Sequence, residues 1–331
     1  VPLAFGVAWR GGEANGPGVF STSGILLSVL PAYLLILAGL VLRRAGVLRH
    51  EHDEGVMHVV FHVMYPCFIL DKILGSSALR GVSAVAWPMA FGFCVPVLGI
   101  GIGWLVGRML GMEKGTGRRT FALSSGVQNF GYTAIPVVQQ LWGGTGALAV
   151  LFVHNLGVEC AMWSVGVMLM SGAKKLEWRR LINGPMFAVV GGLLLVGLGW
   201  DRHVTGPPRE AMRMLGQGAF PVAIALTGAM MHDMLGKERP SLRVVLGGSL
   251  VRLGLSPLAI LLIAKCLPLA VELKQVIVVQ AAMPAAMTPV LFARLYGGRP
   301  AIAVQIVLVT TLLSLLTLPW IIRWGMLWLG L

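Results

Sequence analysis

Ionisable and amide side chains are rare inside the long apolar runs of this 331-residue sequence. Those that do occur there are the candidates for chemistry, because an ionisable group held in apolar surroundings is costly and normally faces a cavity or a partner. Glu159 lies midway along one run, with His154 and Asn155 about one helical turn before it. Its carboxylate can take up a proton, hold a cation, or pair with a polar group on a neighbouring helix; His154 reads more simply as a hydrogen-bonded core residue. Arg252 lies inside another run, where it suits an ion pair with Glu159 or a source of positive potential for a bound anion. Asp71 and Lys72 follow Pro66 near the end of a run, and a solvated pair is the simplest reading. His58 and His62 have the i,i+4 spacing of a metal-binding pair, but no third ligand accompanies them, so no metal is expected. One Glu and one His on one helix do not make a nucleophile–base set either, so no enzyme and no cofactor is expected. Gln128, Thr133, Gln217, Gln280, Thr288 and Gln305 add neutral hydrogen-bonding groups.

The elements that position these groups follow from composition. Residues of the AVILMFWYC set make up 56% of the chain and charged residues only 12%, with a mean hydropathy of +0.82. A soluble domain carries about a quarter charged residues, so this is an all-α polytopic membrane protein in contact with a lipid bilayer. The net charge of +13 does not signal nucleic acid, because the basic residues sit at the ends of apolar runs. Ten spans are expected, at roughly 23–42, 55–74, 83–108, 119–141, 145–171, 183–200, 211–235, 242–265, 273–296 and 300–329. Residues 1–22 read as a flexible tail rather than a signal peptide. Loops after odd-numbered spans hold 16 Lys and Arg against nine on the other side, which places both termini outside the cytoplasm. Cys67, Cys94, Cys160 and Cys266 fall within runs and give no disulfide framework. Gly99, Gly103, Gly107 and Gly111 recur every four residues, as a close-packing seam between helices does. Trp87, Trp142, Trp178, Trp200, Trp320, Trp324 and Trp328 read as interface anchors.

An internal repeat organises the spans. Pro31 and Pro185, Pro66 and Pro221, and Pro136 and Pro289 are separated by 154, 155 and 153 residues, and WGGTGALAV (142–150) matches YGGRPAIAV (296–304) at an offset of 154. Spans 1–5 (23–172) and 6–10 (173–331) are therefore expected to be two copies of one unit. Five is odd, so the second copy enters the membrane from the opposite side, as in the inverted repeats of many secondary transporters. Spans 4 and 9 are equivalent and both carry helix breakers: Gly126, Gly131 and Pro136 in one, Pro284 and Pro289 in the other. Non-helical backbone at membrane depth survives only when buried in protein or lining a cavity. The two breaks are thus expected to meet at mid-bilayer, where the starts of the second half-helices favour an anion. Gln128 and Thr288 flank the breaks.

On the residues Asn129-Phe-Gly-Tyr-Thr-Ala-Ile-Pro136 with LWGG, VHNLGVECAMWSVG (153–166), AAMPAAMTPVLFARLYGG (281–298) and TTLLSLLTLP (310–319), the chain resembles the auxin efflux carrier family in its bacterial branch, within the bile-acid-symporter-like transporters. The resemblance runs over nearly the whole chain from about residue 23. It implies two inverted five-helix repeats with crossed, broken helices 4 and 9, and scaffold helices 1, 2, 6 and 7 against which transport helices 3–5 and 8–10 move like an elevator. It also implies a bacterial inner-membrane location and a homodimer through the scaffold. Asn129 and Pro136 match the motif of the fourth span, and Pro284 and Pro289 fall at the ninth-span crossover, which here carries no Asn.

These observations together predict a secondary transporter, exporting a small carboxylate or other organic anion. Asn129, Gln128, Thr133, Pro136, Pro284, Thr288 and Pro289 would lie at the substrate, and Glu159, Arg252, Asp71, His154 and Asn155 would serve in ion coupling or charge pairing. The sequence leaves open whether H+, Na+ or no ion is coupled. The alternative is a sodium-coupled importer of the bile-acid type on the same fold, with Glu159, Gln128 and Gln280 as oxygen ligands.

Overall fold

A computed structural model describes residues 22–79, 81–131, 133–172, 184–235 and 241–331. The expected tail up to residue 21, the anchor Trp178 and the loop cations Arg10, Arg80, Lys174, Lys175, Arg179, Arg180, Lys237 and Arg239 lie outside the described residues. Among the described residues the chain is helical throughout, with a single isolated β-bridge. In a bilayer every backbone N–H and C=O must be satisfied within the protein, and a helix does this locally.

Seven helical segments are long and apolar enough to cross a membrane: α1 (Ile25–Arg44, within a helix from Thr22), α2 (His50–Ile73), α3 (Val82–Met109), α6 (Ala147–Ser171), α8 (Pro207–Met234), α9 (Leu242–Lys265) and α12 (Pro300–Leu329). A shorter apolar helix, α7, spans Gly184–Gly197. The rest forms two pairs of short helices, α4 (Thr116–Gly126) with α5 (Ala134–Trp142) and α10 (Val271–Ala282) with α11 (Thr288–Leu295). Pro207 and Pro300 start their helices at positions that need no N–H bond, and Gly172 and Gly330 end α6 and α12 in the left-handed conformation.

Three helices carry one π-helical turn each: Val60–Met64 in α2, Met162–Gly166 in α6 and Val251–Leu255 in α9. Two have a direct cause. Pro66 and Pro257 follow the turns in α2 and α9, and a proline ring clashes with the carbonyl four residues back, so a wider turn relieves it.

Glycine sets which helices approach most closely. A Cβ on Gly39 or Gly228 would lie within 2 Å of a backbone carbonyl oxygen of the facing helix, which locks α1 to α8. A Cβ on Gly92 would meet the His154 carbonyl oxygen at 1.8 Å and one on Gly157 the Met89 oxygen at 2.1 Å, so α3 and α6 pack backbone to backbone. The expected seam on α3 holds for three of its four members: Gly99, Gly103 and Gly107 face Gly126, Ala122 with Ser125, and Phe121 of α4. Gly111 is different. It lies beyond the helix end at φ 65° with open space around it, and it turns the chain.

Candidate functional site

The two short pairs meet at their interruptions. Val127 leaves α4 in extended conformation (φ −95°, ψ 124°), and Met283 leaves α10 likewise (φ −67°, ψ 143°). For Met283 the cause is the next residue, since Pro284 disfavours helical backbone before it. For α4 it is close packing: a Cβ on Gly126 would lie 2.3 Å from the Ile100 nitrogen of α3. The freed backbone groups pair across the gap. The Asn129 N–H donates to the Pro284 carbonyl at 2.7 Å and the Ala286 N–H to the Val127 carbonyl at 3.0 Å, closing an antiparallel bridge between Gln128 and Ala285. Thr310 of α12 takes the Ala285 N–H at 3.1 Å. Pro136 and Pro289 act differently from the sequence expectation. They lie in the first turns of α5 and α11, where an N–H has no intrahelical partner, so they start the second half-helices rather than break the spans.

The crossing has a negative and a positive side. On the first, the fully buried Arg252, projected from the π turn of α9, donates to the Gly126 carbonyl at 3.1 Å and to the Ala281 carbonyl at 3.4 Å. One guanidinium thus caps the C-terminal ends of α4 and α10 together, where the helix dipoles favour a cation. This replaces the expected ion pair, because Arg252 is not bonded to Glu159. On the second side, the segments leading into α5 and α11 border a cavity of about 770 Å³, a volume that includes solvent at its mouth.

Asn129, Phe130, Gly131, Ala286, Met287 and Thr288 form one wall of that cavity, and Phe152, Asn155, Leu156 and Glu159 of α6 a second. The opposite side is apolar: Phe61, Tyr65 and Ile69 of α2, and Pro185, Met186 and Val189 of α7. Glu159 is the one charged side chain among these lining residues, and none of them is Lys, Arg or His. Its Oε2 accepts the Trp163 indole N–H at 2.8 Å. Asn155 donates to the Phe130 carbonyl at 2.9 Å, and Gln280 donates to that carbonyl at 3.2 Å and to Asn155 Oδ1 at 3.1 Å. Two amides from two helices therefore pin the loop that carries Asn129.

Of the residues singled out in the sequence, Asn129, Thr288, Asn155 and Glu159 come together on the cavity, and the others lie elsewhere. Gln128 is wholly buried in the crossing, and neither atom of its amide has a hydrogen-bond partner among the described residues. Thr133 precedes α5, and Pro136, Pro284 and Pro289 shape the backbone without lining the cavity. His154 is buried, with Nδ1 3.4 Å from Asn155 Oδ1, and its backbone packs on α3. Asp71 pairs with Lys72 at 3.2 Å and with Arg209 of α8 at 3.7 Å, away from the cavity, and its side chain is largely buried rather than solvated. His58 and His62 stack on each other at 4.1 Å. Another group, His50, Asp53 and Asp233, gathers around Arg43, which makes ion pairs of 2.5 and 3.2 Å with the two carboxylates.

The sequence reading passed over Phe61, Tyr65, Ile69, Met186 and Val189, and took Pro185 only as a landmark of the repeat. Apolar residues within apolar runs carry no mark that separates a cavity wall from a lipid-facing surface.

Interrupted membrane helices whose open backbone borders a cavity are the build of membrane transporters. Sequence comparison agrees. The model of a family described as membrane transport protein matches residues 25–179 and again 168–322, and the chain belongs to this auxin efflux carrier-like family. It is similar to an uncharacterized transporter of Methanothermobacter thermautotrophicus, 24% identical over 298 residues that cover 88% of this chain and 95% of the relative. It is also similar to an uncharacterized transporter of Methanocaldococcus jannaschii, 22% identical over 305 residues covering 90% and 96%.

Proposed function

We propose that the protein is a secondary transporter that exports a small organic anion, bound where the two broken helices cross. The observation that carries this reading is that the segments leading into α5 and α11 border one cavity. Each helix start carries roughly half a positive charge, so two of them offset about one negative charge, and no Lys, Arg or His is among the described residues that line the cavity. Asn129 and Thr288 add hydrogen-bonding groups at the same wall.

The seven long segments, α7 and the two interrupted pairs add up to ten crossings in two inverted five-helix repeats. The 154-residue offset and the double match of one family model support this division. In this reading α1, α2, α7 and α8 form a scaffold, and the crossing with α3, α6, α9 and α12 moves against it. The cavity lies between the two groups, so a shift of one along the other would open it to each side in turn. Placement in the bacterial inner membrane with both termini outside, and a homodimer through the scaffold, belong to the same proposal.

The sodium-coupled importer needs several converging oxygens. Of its three candidate ligands Glu159 lines the cavity, whereas Gln128 and Gln280 are wholly buried in the crossing and Gln280 already bonds Phe130 and Asn155. That arrangement favours the first reading. The test is purified protein in liposomes loaded with labelled carboxylates under imposed pH, Na+ and substrate gradients. Flux of a carboxylate that stops in the Asn129→Ala variant is expected. No carboxylate flux under any gradient would sink the proposal.

A further inference from the structure

We propose that Glu159 takes up one proton when a carboxylate binds, so that the site accepts a single carboxylate together with one H+. This rests on the organic-anion reading above and deepens it by naming the partner ion and the number of acid groups on the substrate.

The geometry begins with the cavity wall. Glu159 is the one charged residue among the described lining residues, and the Trp163 indole bonds its Oε2 while Oε1 accepts no hydrogen bond among the described residues. Like charges at close range disfavour ionisation of both. A substrate carboxylate reaching the segments that lead into α5 and α11 therefore enters beside an acid of its own sign. The conflict is resolved when a proton from solvent bonds to Glu159 Oε1, which then donates a short O–H···O hydrogen bond to the substrate. One O–H bond forms on Glu159 as a hydronium or buffer acid loses its proton, and the two carboxylates then share one negative charge, the amount the two helix starts offset.

Among the described residues, the groups around Glu159 offer no other charge compensation. From α2 the titratable neighbour is the Tyr65 phenol; α7 contributes only Pro185, Met186 and Val189 to the cavity, and the crossing segments contribute Asn129 and Thr288 with apolar residues. The facing stretch of α3 around Met89 and Phe93 contacts Gly157 and carries the thiol of Cys94. On α6 itself, Cys160 is adjacent and His154 is buried against Asn155. Gln280 of α10 bonds Phe130 and Asn155, and Arg252 of α9 is held by carbonyls on the far side of the crossing. On the α2 and α7 side a second substrate carboxylate would meet the Tyr65 phenol and otherwise only Phe61, Ile69, Pro185, Met186 and Val189, with no cation among these residues to compensate it.

The test is calorimetric titration of the protein in lipid nanodiscs with hexanoate and with succinate, in buffers of different ionisation enthalpy and across a pH series. The wild type is expected to take up about one proton per hexanoate bound once pH exceeds the Glu159 titration, with affinity falling about tenfold per pH unit there. Glu159→Gln keeps an acceptor for Trp163 and is expected to bind hexanoate with no proton uptake and no such fall. Its thermal unfolding checks that it is folded. An infrared carbonyl band of a protonated acid should appear when hexanoate binds to the wild type and be missing in the variant. Equal proton uptake by both proteins, or none by the wild type, overturns the inference. Binding of succinate without hexanoate also overturns it, while leaving the organic-anion reading standing. No binding of either acid, with no carboxylate flux in liposomes, removes both.

Discussion

Replacing Arg252 with Lys and with Met separates charge from geometry at the crossing. The guanidinium places one nitrogen on the Gly126 carbonyl and another on the Ala281 carbonyl, at the ends of two different helices. An ordinary interhelical hydrogen bond in a membrane contributes only about 0.6 kcal/mol, but a bond from a charged donor contributes about 1.5–3 kcal/mol. Lysine keeps the charge as a compact point and cannot fork across both carbonyls, so Arg252→Lys loses one such bond. Arg252→Met loses both bonds and leaves two buried carbonyls bare, a loss of about 3–6 kcal/mol at about 1.5–3 kcal/mol per charged hydrogen bond. The sensitive readout is amide hydrogen exchange at Asn129 and Ala286, whose N–H groups tie the two interruptions together. At about 1.4 kcal/mol per tenfold, Lys should speed exchange at both amides by roughly 10- to 100-fold, and Met by more than about 100-fold. If both variants exchange at the wild-type rate there, or if only one of the two segments responds, Arg252 is not the joint clamp described above.

Three further outcomes are expected. Gly99→Ala places a Cβ 2.1 Å from the Gly126 carbonyl oxygen and should destabilise by about 1–3 kcal/mol or more, whereas Gly101→Ala, with open space around it, should be neutral or raise the apparent unfolding temperature. Asn155→Ala loses the bond to the Phe130 carbonyl while Gln280 keeps its own, so hexanoate affinity should fall about five- to tenfold, and Asn155→Asp, which sets an acceptor against that carbonyl, should fall further. Asp71→Asn disrupts the pairs with Lys72 and Arg209, should lower stability by no more than about 1 kcal/mol, and should leave hexanoate affinity unchanged, because Asp71 lies off the cavity.

The interruptions were legible in sequence because glycine and proline mark them: Pro284 acts on the backbone just before it, and Gly126 is the residue type that close packing against α3 requires. The prolines at 136 and 289 were visible but misplaced in role, since one residue type both breaks a helix and starts one. What Arg252 holds was not legible. Its partners are main-chain carbonyls, which every residue has, and no side-chain type announces that two helix ends converge on it. The same limit hid the Asp71–Arg209 pair, whose members are 138 residues apart, and the apolar wall of the cavity. Glu159 stood out because a lone acid in an apolar run has few structural reasons to be there, and it does face open space.

The bridge between Val127–Asn129 and Pro284–Ala286 also bears on how the chain is made. The first interruption emerges from the ribosome some 155 residues ahead of the strand-like segment that completes it. Until then its exposed peptide groups cannot be left facing lipid tails. The early half must wait beside water or the insertion machinery, and the fold closes only once the late half arrives. A chain cut between the two halves should therefore need both fragments present during insertion to yield a stable product.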